Sequence, residues 1–300
     1  MSYELRMMDD DFKEYRQRKG YAKSSIKIQD SYLRKFFSWM IQNQKLVEII
    51  GYRDIINYLS DERKKGIKPP GIYKCLRTVC IYLDYEIEKG TVKENPANRI
   101  RLKDKEERAL LPPVEKETLD RIYNEFAGKQ IKTEKAKRTH RRDTVFLGLL
   151  VFQGLDSGNL KRLTVKDVNL TAGTIYIASN RKSNARTLKL ESVQILSIHN
   201  YIIQTRETIR EDRTGENRLF TTRKLDERIS VFIRRLKKQY PEIQSPGHIR
   251  QSVIIGWLKA HPIRQVQYMA GHKNIRSTER YRDEDINDLS QQISKYHPIK

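Results

Sequence analysis

The first hundred residues carry an almost unbroken helical period of apolar side chains, interrupted only by short breaks, and this pattern leaves little room for a sheet. Residues 9–19 and 24–42 read as two helices, the second with Tyr32, Phe36, Trp39 and Met40 on one face. Residues 51–65 form a third. Pro69-Pro70-Gly71 opens a fourth, which runs to Lys89-Gly90, where a glycine suits a helix end. Connections this short place neighbouring helices antiparallel, so a four-helix domain is expected over residues 1–100. The aromatic stripe, at helical spacing, reads as the inside of that domain and not as a platform for bases.

Between 101 and 113 the composition turns basic, with Arg101, Lys103, Lys105 and Arg108, and closes on Leu111-Pro112-Pro113. This reads as an exposed linker between domains. A second domain over residues 114–300 mixes two periods. Helices are expected at 114–127 and 143–153, around a polar basic stretch that includes 135–142, and again at 193–207, 226–239, 247–260 and 263–269. Three short strands are expected at 164–168, 174–177 and 187–190, with turns at Thr171-Ala172-Gly173 and Arg181-Lys182-Ser183-Asn184. The fold class is therefore mostly α with one small antiparallel sheet.

Lys and Arg number 60 against 38 Asp and Glu, a net charge of +22, and the basic residues are spread through nearly every segment. A folded basic surface with a polyanionic partner is the expectation, which RNA-binding structural proteins would share with DNA-binding ones. Cys75 and Cys80 lie five apart in a helical pattern and cannot face each other for a disulfide, which points to a reducing compartment. No metal-ligand spacing connects them with the six histidines, so no cofactor is expected. The opening residues lack the apolar core of a signal peptide, and no apolar run reaches membrane-spanning length. A cytoplasmic protein with no membrane partner is expected.

Near the C-terminus the chain reads Gly271-His272-Lys273-Asn274-Ile275-Arg276-Ser277-Thr278-Glu279-Arg280-Tyr281, with Gly247-His248-Ile249-Arg250 upstream. This resembles the active-site end of the tyrosine recombinases, the phage-integrase family, in which a Tyr follows a His by nine residues, as Tyr281 follows His272 here. The resemblance extends over about residues 5–295 and is weaker in the first hundred. It implies an N-terminal core-binding (SAM-like) domain, a catalytic domain after residue 113, and double-stranded DNA as partner. It also implies strand cutting and rejoining through a 3′-phosphotyrosine, for a mobile genetic element, as an integrase or transposase. The covalent link conserves the phosphodiester bond energy, so the family needs neither metal nor nucleotide.

Residue by residue, the resemblance implies Tyr281 as nucleophile, His272 at the family's second His/Trp position and Arg250 as the Arg of H-x-x-R. Lys182, in the turn before Arg186-Thr187-Leu188, matches the mobile Lys that protonates the leaving oxygen, with Arg181 as its competitor. Such a site must activate a phenol with a pKa of ~10 and neutralise a transition state that gathers negative charge. Two positions depart from the pattern. Gln153-Gly154-Leu155-Asp156 puts Asp156 in the slot of the family's first Arg, and Gly247 stands where H-x-x-R begins with His. His248 is adjacent, but one helical step turns its side chain by about 100°. Lys161, Arg162, Arg181 and Arg142 are candidates for a replacement positive charge. After Tyr281, Ile286, Leu289 and Ile293 suggest a last amphipathic helix through which copies assemble on DNA. The competing expectation is a degenerate homologue that keeps the DNA clamp and serves as an accessory or regulatory protein.

Overall fold

The computed structural model describes residues 10–102, 110–209, 217–222 and 224–282. The chain divides into two compact units at residues 108 and 109. In the first unit four helices, α1 (Asp10–Arg18), α2 (Lys23–Gln42), α3 (Tyr52–Lys64) and α4 (Pro69–Glu88), fall within two residues of the expected boundaries. Pro69 and Pro70 occupy the first turn of α4, where the missing N–H costs nothing. The aromatic stripe of α2 is core: Phe36, Trp39 and Met40 are buried, and Tyr58 of α3 packs edge-on against Phe36 and Trp39. Trp39 donates its indole N–H to Asp61 at 2.9 Å, which pays the desolvation of a polar tip in an apolar layer. Cys75 and Cys80, both in α4, are buried free thiols.

The second unit comprises α5 (Lys116–Ala127), α6 (Glu134–Val151), α7 (Ser157–Arg162), β1 (Val168–Asn169), β2 (Thr174–Ile177), β3 (Arg186–Lys189), α8 (Ser192–Gln204), α9 (Leu225–Gln239), α10 (Pro246–Ala260) and α11 (Ile263–Ala270). Residues 276–282 are also helical. Every residue from Arg142 to Val151 of α6 is buried, as expected of a helix that is apolar all round and sits at the centre. The sheet is antiparallel in the order β1-β2-β3, with Ile175 opposite both Val168 and Leu188. Among the described residues no helix is long and apolar enough to cross a membrane.

Two expectations need correction. Residues 135–142 are not a polar connector: Thr133 caps α6 through a side chain that accepts from the Ala136 N–H, and the helix begins nine residues earlier than periodicity suggested. Residues 164–168 are mostly a 3-10 turn, because Asp167 accepts from both the N–H and the hydroxyl of Thr164 and so turns the chain before β1 starts. Residues 110–113, at the end of the expected linker, include the exposed Leu111 and Pro112 and are held by hydrogen bonds. His248 Nε2 lies 2.8 Å from the Pro112 carbonyl, Gln251 donates to the Leu111 carbonyl, and the Val114 N–H donates to Ser252 Oγ at 2.9 Å, which pins this segment to α10. Residues 103–109 of the expected linker and the tail helix after Tyr281 lie outside the described residues.

Candidate active site

Helix α10 carries the site because two opposite faces of it are apolar. Ile249 and Val253 enter the main core, while Ile254 joins Val266 and Ala270 of α11 in a smaller cluster on which Trp257, Leu258 and Tyr281 rest. Arg250 lies one turn before Ile254, on the side facing α11. Its guanidinium donates to the carbonyl of Gly154, after the end of α6, and to that of Ala270, the last residue of α11, at 2.7 Å. It therefore holds two helix ends, where carbonyls without intrahelical partners concentrate negative potential. Gly154 sits at φ +56°, the left-handed conformation that turns its carbonyl toward Arg250. Burial lowers the pKa of Arg250, and the nearby charges of Asp156 and Tyr281 oppose that shift.

Helix α11 ends at Gly271 in a left-handed cap, φ +71°, with the His272 N–H donating to the Gln267 carbonyl at 3.0 Å. This cap delivers the His272 ring to Arg250, whose Nη2 lies 3.5 Å from His272 Nε2. His272 Nδ1 lies 2.8 Å from the hydroxyl of the fully buried Thr278. With Nε2 accepting from the guanidinium, the proton resides on Nδ1 and is donated to Thr278. Burial, and then the positive charges of Arg250 and Arg186, push His272 down to about 4, so the imidazole is neutral near pH 7. The Tyr281 ring stacks on it nearly parallel, at 10°, with centroids 6.1 Å apart.

The β2–β3 turn reaches the same cap. Ser183 bridges His272 in antiparallel fashion, and the Asn184 N–H donates to the Gly271 carbonyl at 2.9 Å. Asn180 organises the turn, accepting from the N–H groups of Lys182 at 2.6 Å and Ser183 at 3.1 Å. The backbone of Lys182 is thus fixed while its side chain, like that of Arg181, stays exposed.

Tyr281, His272 and Arg250 are therefore brought together, with Lys182 on the adjoining turn. The altered positions fall out differently. Asp156 is the N-cap of α7 and accepts from the Asn159 N–H at 2.7 Å. His248 is turned into the protein: Nδ1 accepts from the Gln244 N–H at 3.3 Å, which leaves Nε2 to donate to Pro112. It does not stand in for the histidine absent at Gly247. Arg162 donates to Asn159 at 3.0 Å, Lys161 pairs with Asp226, and Arg142 is buried against Asp143 at 2.8 Å. One residue at the site escaped the sequence reading: Arg186, the first residue of β3, is 2% exposed, and its guanidinium packs against Gly271. Its signal was present, since Arg186 and Leu188 share the inward phase of the strand. Among the described residues no group of three or more His, Cys, Asp or Glu side chains is placed to hold a metal ion.

The phage integrase family profile matches residues 114–287. The chain belongs to that family. Over 259 residues it is 24% identical to a tyrosine recombinase of Agathobacter rectalis, covering 82% of each chain, and over 270 residues 23% identical to the tyrosine recombinase XerC of Chlorobaculum tepidum, covering 84% of this chain and 80% of the relative. Its fold is similar to that of the site-specific recombinase XerH in a post-cleavage complex with a palindromic difH substrate, at TM-score 0.71 and 17% identity, covering 90% of this chain and 79% of that one. A structure of the Tn1549 transposon integrase with circular-intermediate DNA is similar at TM-score 0.66 and 16% identity, covering 93% and 98%.

Proposed function

We propose that the chain is a site-specific recombinase that cuts and rejoins double-stranded DNA through Tyr281, serving a mobile genetic element. The observation that carries this reading is the convergence of Tyr281 and His272 from one segment and Arg250 from another onto one helix cap. The phenol of Tyr281 gives up its proton to solvent as its oxygen attacks the scissile phosphorus, the bond to the 5′ oxygen breaks, and Lys182 gives that oxygen a proton. The product is a 3′-phosphotyrosine and a free 5′ hydroxyl, which reverses the reaction on a second strand. Arg250, already fixed by two carbonyls, offers its remaining N–H groups to the non-bridging oxygens without reorganising. His272 is neutral, and the Thr278 hydroxyl either accepts from or donates to Nδ1. In the other tautomer, reached when Nδ1 releases its proton to solvent and Nε2 takes one up from it, Thr278 donates to Nδ1 and Nε2–H donates to the phosphate.

The first unit and the basic surface supply the grip on the duplex, in line with the net charge of +22. Two buried free thiols fit action in a reducing cytoplasm. The test is a nicked suicide substrate carrying the recombination site, since loss of the 5′ fragment traps the covalent adduct. The expected outcome is an adduct that withstands denaturant, forms in chelator and disappears in Tyr281→Phe. Tight DNA binding without any adduct would assign the chain to the DNA-binding accessory proteins instead.

A further inference from the structure

We propose that Arg186 supplies the guanidinium missing at the Asp156 position, forming with Arg250 a two-armed clamp on the scissile phosphate. This rests on the recombinase reading and deepens it by naming the residue that completes the altered site.

Arg186 carries a desolvation that nothing among the described residues offsets in full. Arg186 is buried, and its Nε and Nη2 atoms have no hydrogen-bond partner; only Nη1 donates, at 3.4 Å, to the Asn184 carbonyl. Nε and Nη2 carry three of the five N–H donors of a guanidinium. Buried cations with open donors are uncommon unless something anionic completes them. The space for this one is made by Gly271, where a Cβ would lie 2.8 Å from Arg186 Cζ and nearer still to Nη1. The guanidinium therefore sits under the same cap that aims His272 and accepts, one residue earlier, the hydrogen bond from Arg250.

Charge points the same way. Burial first and then Arg250 lower the pKa of Arg186 to about 10 against the opposing pull of Asp156, so the two guanidinium groups and the carboxylate lie within electrostatic reach of one another. Two positive groups held close in a poorly solvated place repel, and a phosphate between them removes the repulsion. Asp156 partly offsets it before DNA arrives, while its carboxylate remains the cap of α7. Of the other basic candidates, Lys161 is engaged with Asp226, Arg142 with Asp143 and Arg162 with Asn159, while Arg181 is exposed on the turn beside Lys182. Arg186 is covered in the DNA-free protein, so engagement requires its guanidinium to turn outward. Among the described residues, its only hydrogen bond to be broken is the long one from Nη1 to the Asn184 carbonyl.

The experiment compares wild type with Arg186→Ala, Arg186→Lys and the double variant Arg186→Ala/Asp156→Arg, all full-length, with thermal melting to confirm folding. On the suicide substrate, Arg186→Ala is expected to trap DNA about 100- to 1,000-fold more slowly than wild type, the usual loss for one donor to the transition state. Asp156→Arg, placed where the family keeps its arginine, is expected to recover at least about tenfold of that loss. A substrate with an uncharged methylphosphonate at the scissile position should close most of the gap between Arg186→Ala and wild type, because there is less charge to neutralise. Binding to intact DNA should lose about one unit of log–log salt slope in Arg186→Ala. Wild-type rates in a folded Arg186→Ala, or a loss equal on both substrates with no change in salt slope, would overturn the proposal in favour of a structural charge. If wild type traps nothing, the recombinase reading falls; the salt slope then decides whether Arg186 grips phosphate, and an unchanged slope sinks that too.

Discussion

At the scale of single residues, His272 makes stability depend on pH in a way that can be worked out in advance. Its pKa is about 4 in the folded chain against an ordinary 6.5, so below pH 6.5 the unfolded chain takes up a proton that the folded chain refuses. The stability held by the neutral imidazole is complete above about pH 6.5 and is lost as pH falls toward about 4, by up to about 3 kcal/mol. Melting temperatures of wild type and His272→Gln across that window should converge as pH falls; parallel curves would remove His272 as the cause. Gly271→Ala combines left-handed strain with a clash on the Arg186 guanidinium. It is expected to cost about 1–3 kcal/mol and to slow covalent trapping more than ten times, read from a melt and a trapping time course. The residues of this site were unequally legible. Tyr281, His272 and Arg250 announce themselves by spacing, because one short segment and one helix turn carry them. Arg186 did not, since its partners are a glycine cap and another arginine far away in sequence, and a strand arginine says nothing of what lies above it until the chain folds. For His248 the helical step told that its ring turns away from the motif position but not what it meets, for its role depends on a proline carbonyl more than a hundred residues upstream.

Among the elements, α10 is the hub, and its N-terminal turn tests whether His248 is structural. Removing the buried ring takes away the partner of the Pro112 carbonyl and of the Gln244 N–H and leaves a cavity where the imidazole packed. His248→Ala should therefore lower stability by about 1–3 kcal/mol. Trapping by the folded fraction at a permissive temperature should stay within about threefold of wild type. A hundredfold slower trapping with an unchanged melt would instead place His248 in the chemistry. The same element shows where periodicity reads well and where it stops. Helices with one apolar face, such as α2 and α9, were legible almost to the residue because burial imposes the period. The start of α6 was not, because its first two turns are basic and largely solvent-facing, and a Thr133 cap rather than an apolar stripe begins it. The stretch before β1 has strand-forming residues, yet one carboxylate, Asp167, bends it into a turn.

For the whole molecule, charge decides more than shape. With 60 basic and 38 acidic residues the chain carries a net charge of +22, distributed over both units and not gathered in a tail. Such a surface attracts any polyanion, so affinity alone separates DNA from RNA poorly, and the informative quantity is how binding depends on salt and sequence. If the chain encloses a duplex as the proposed function requires, about six to ten phosphate contacts would release counterions. Observed affinity for a recombination-site duplex should then fall about 10³- to 10⁵-fold between 50 and 200 mM salt. Part of that term is indifferent to sequence, so a scrambled duplex should show a similar slope at weaker absolute affinity. Fluorescence anisotropy on both duplexes over a salt series provides the measurement. A slope near zero would mean that the basic surface does not meet the DNA backbone. Equal affinities for the two duplexes at every salt concentration would leave the grip in place but remove the site specificity on which the proposed recombinase depends.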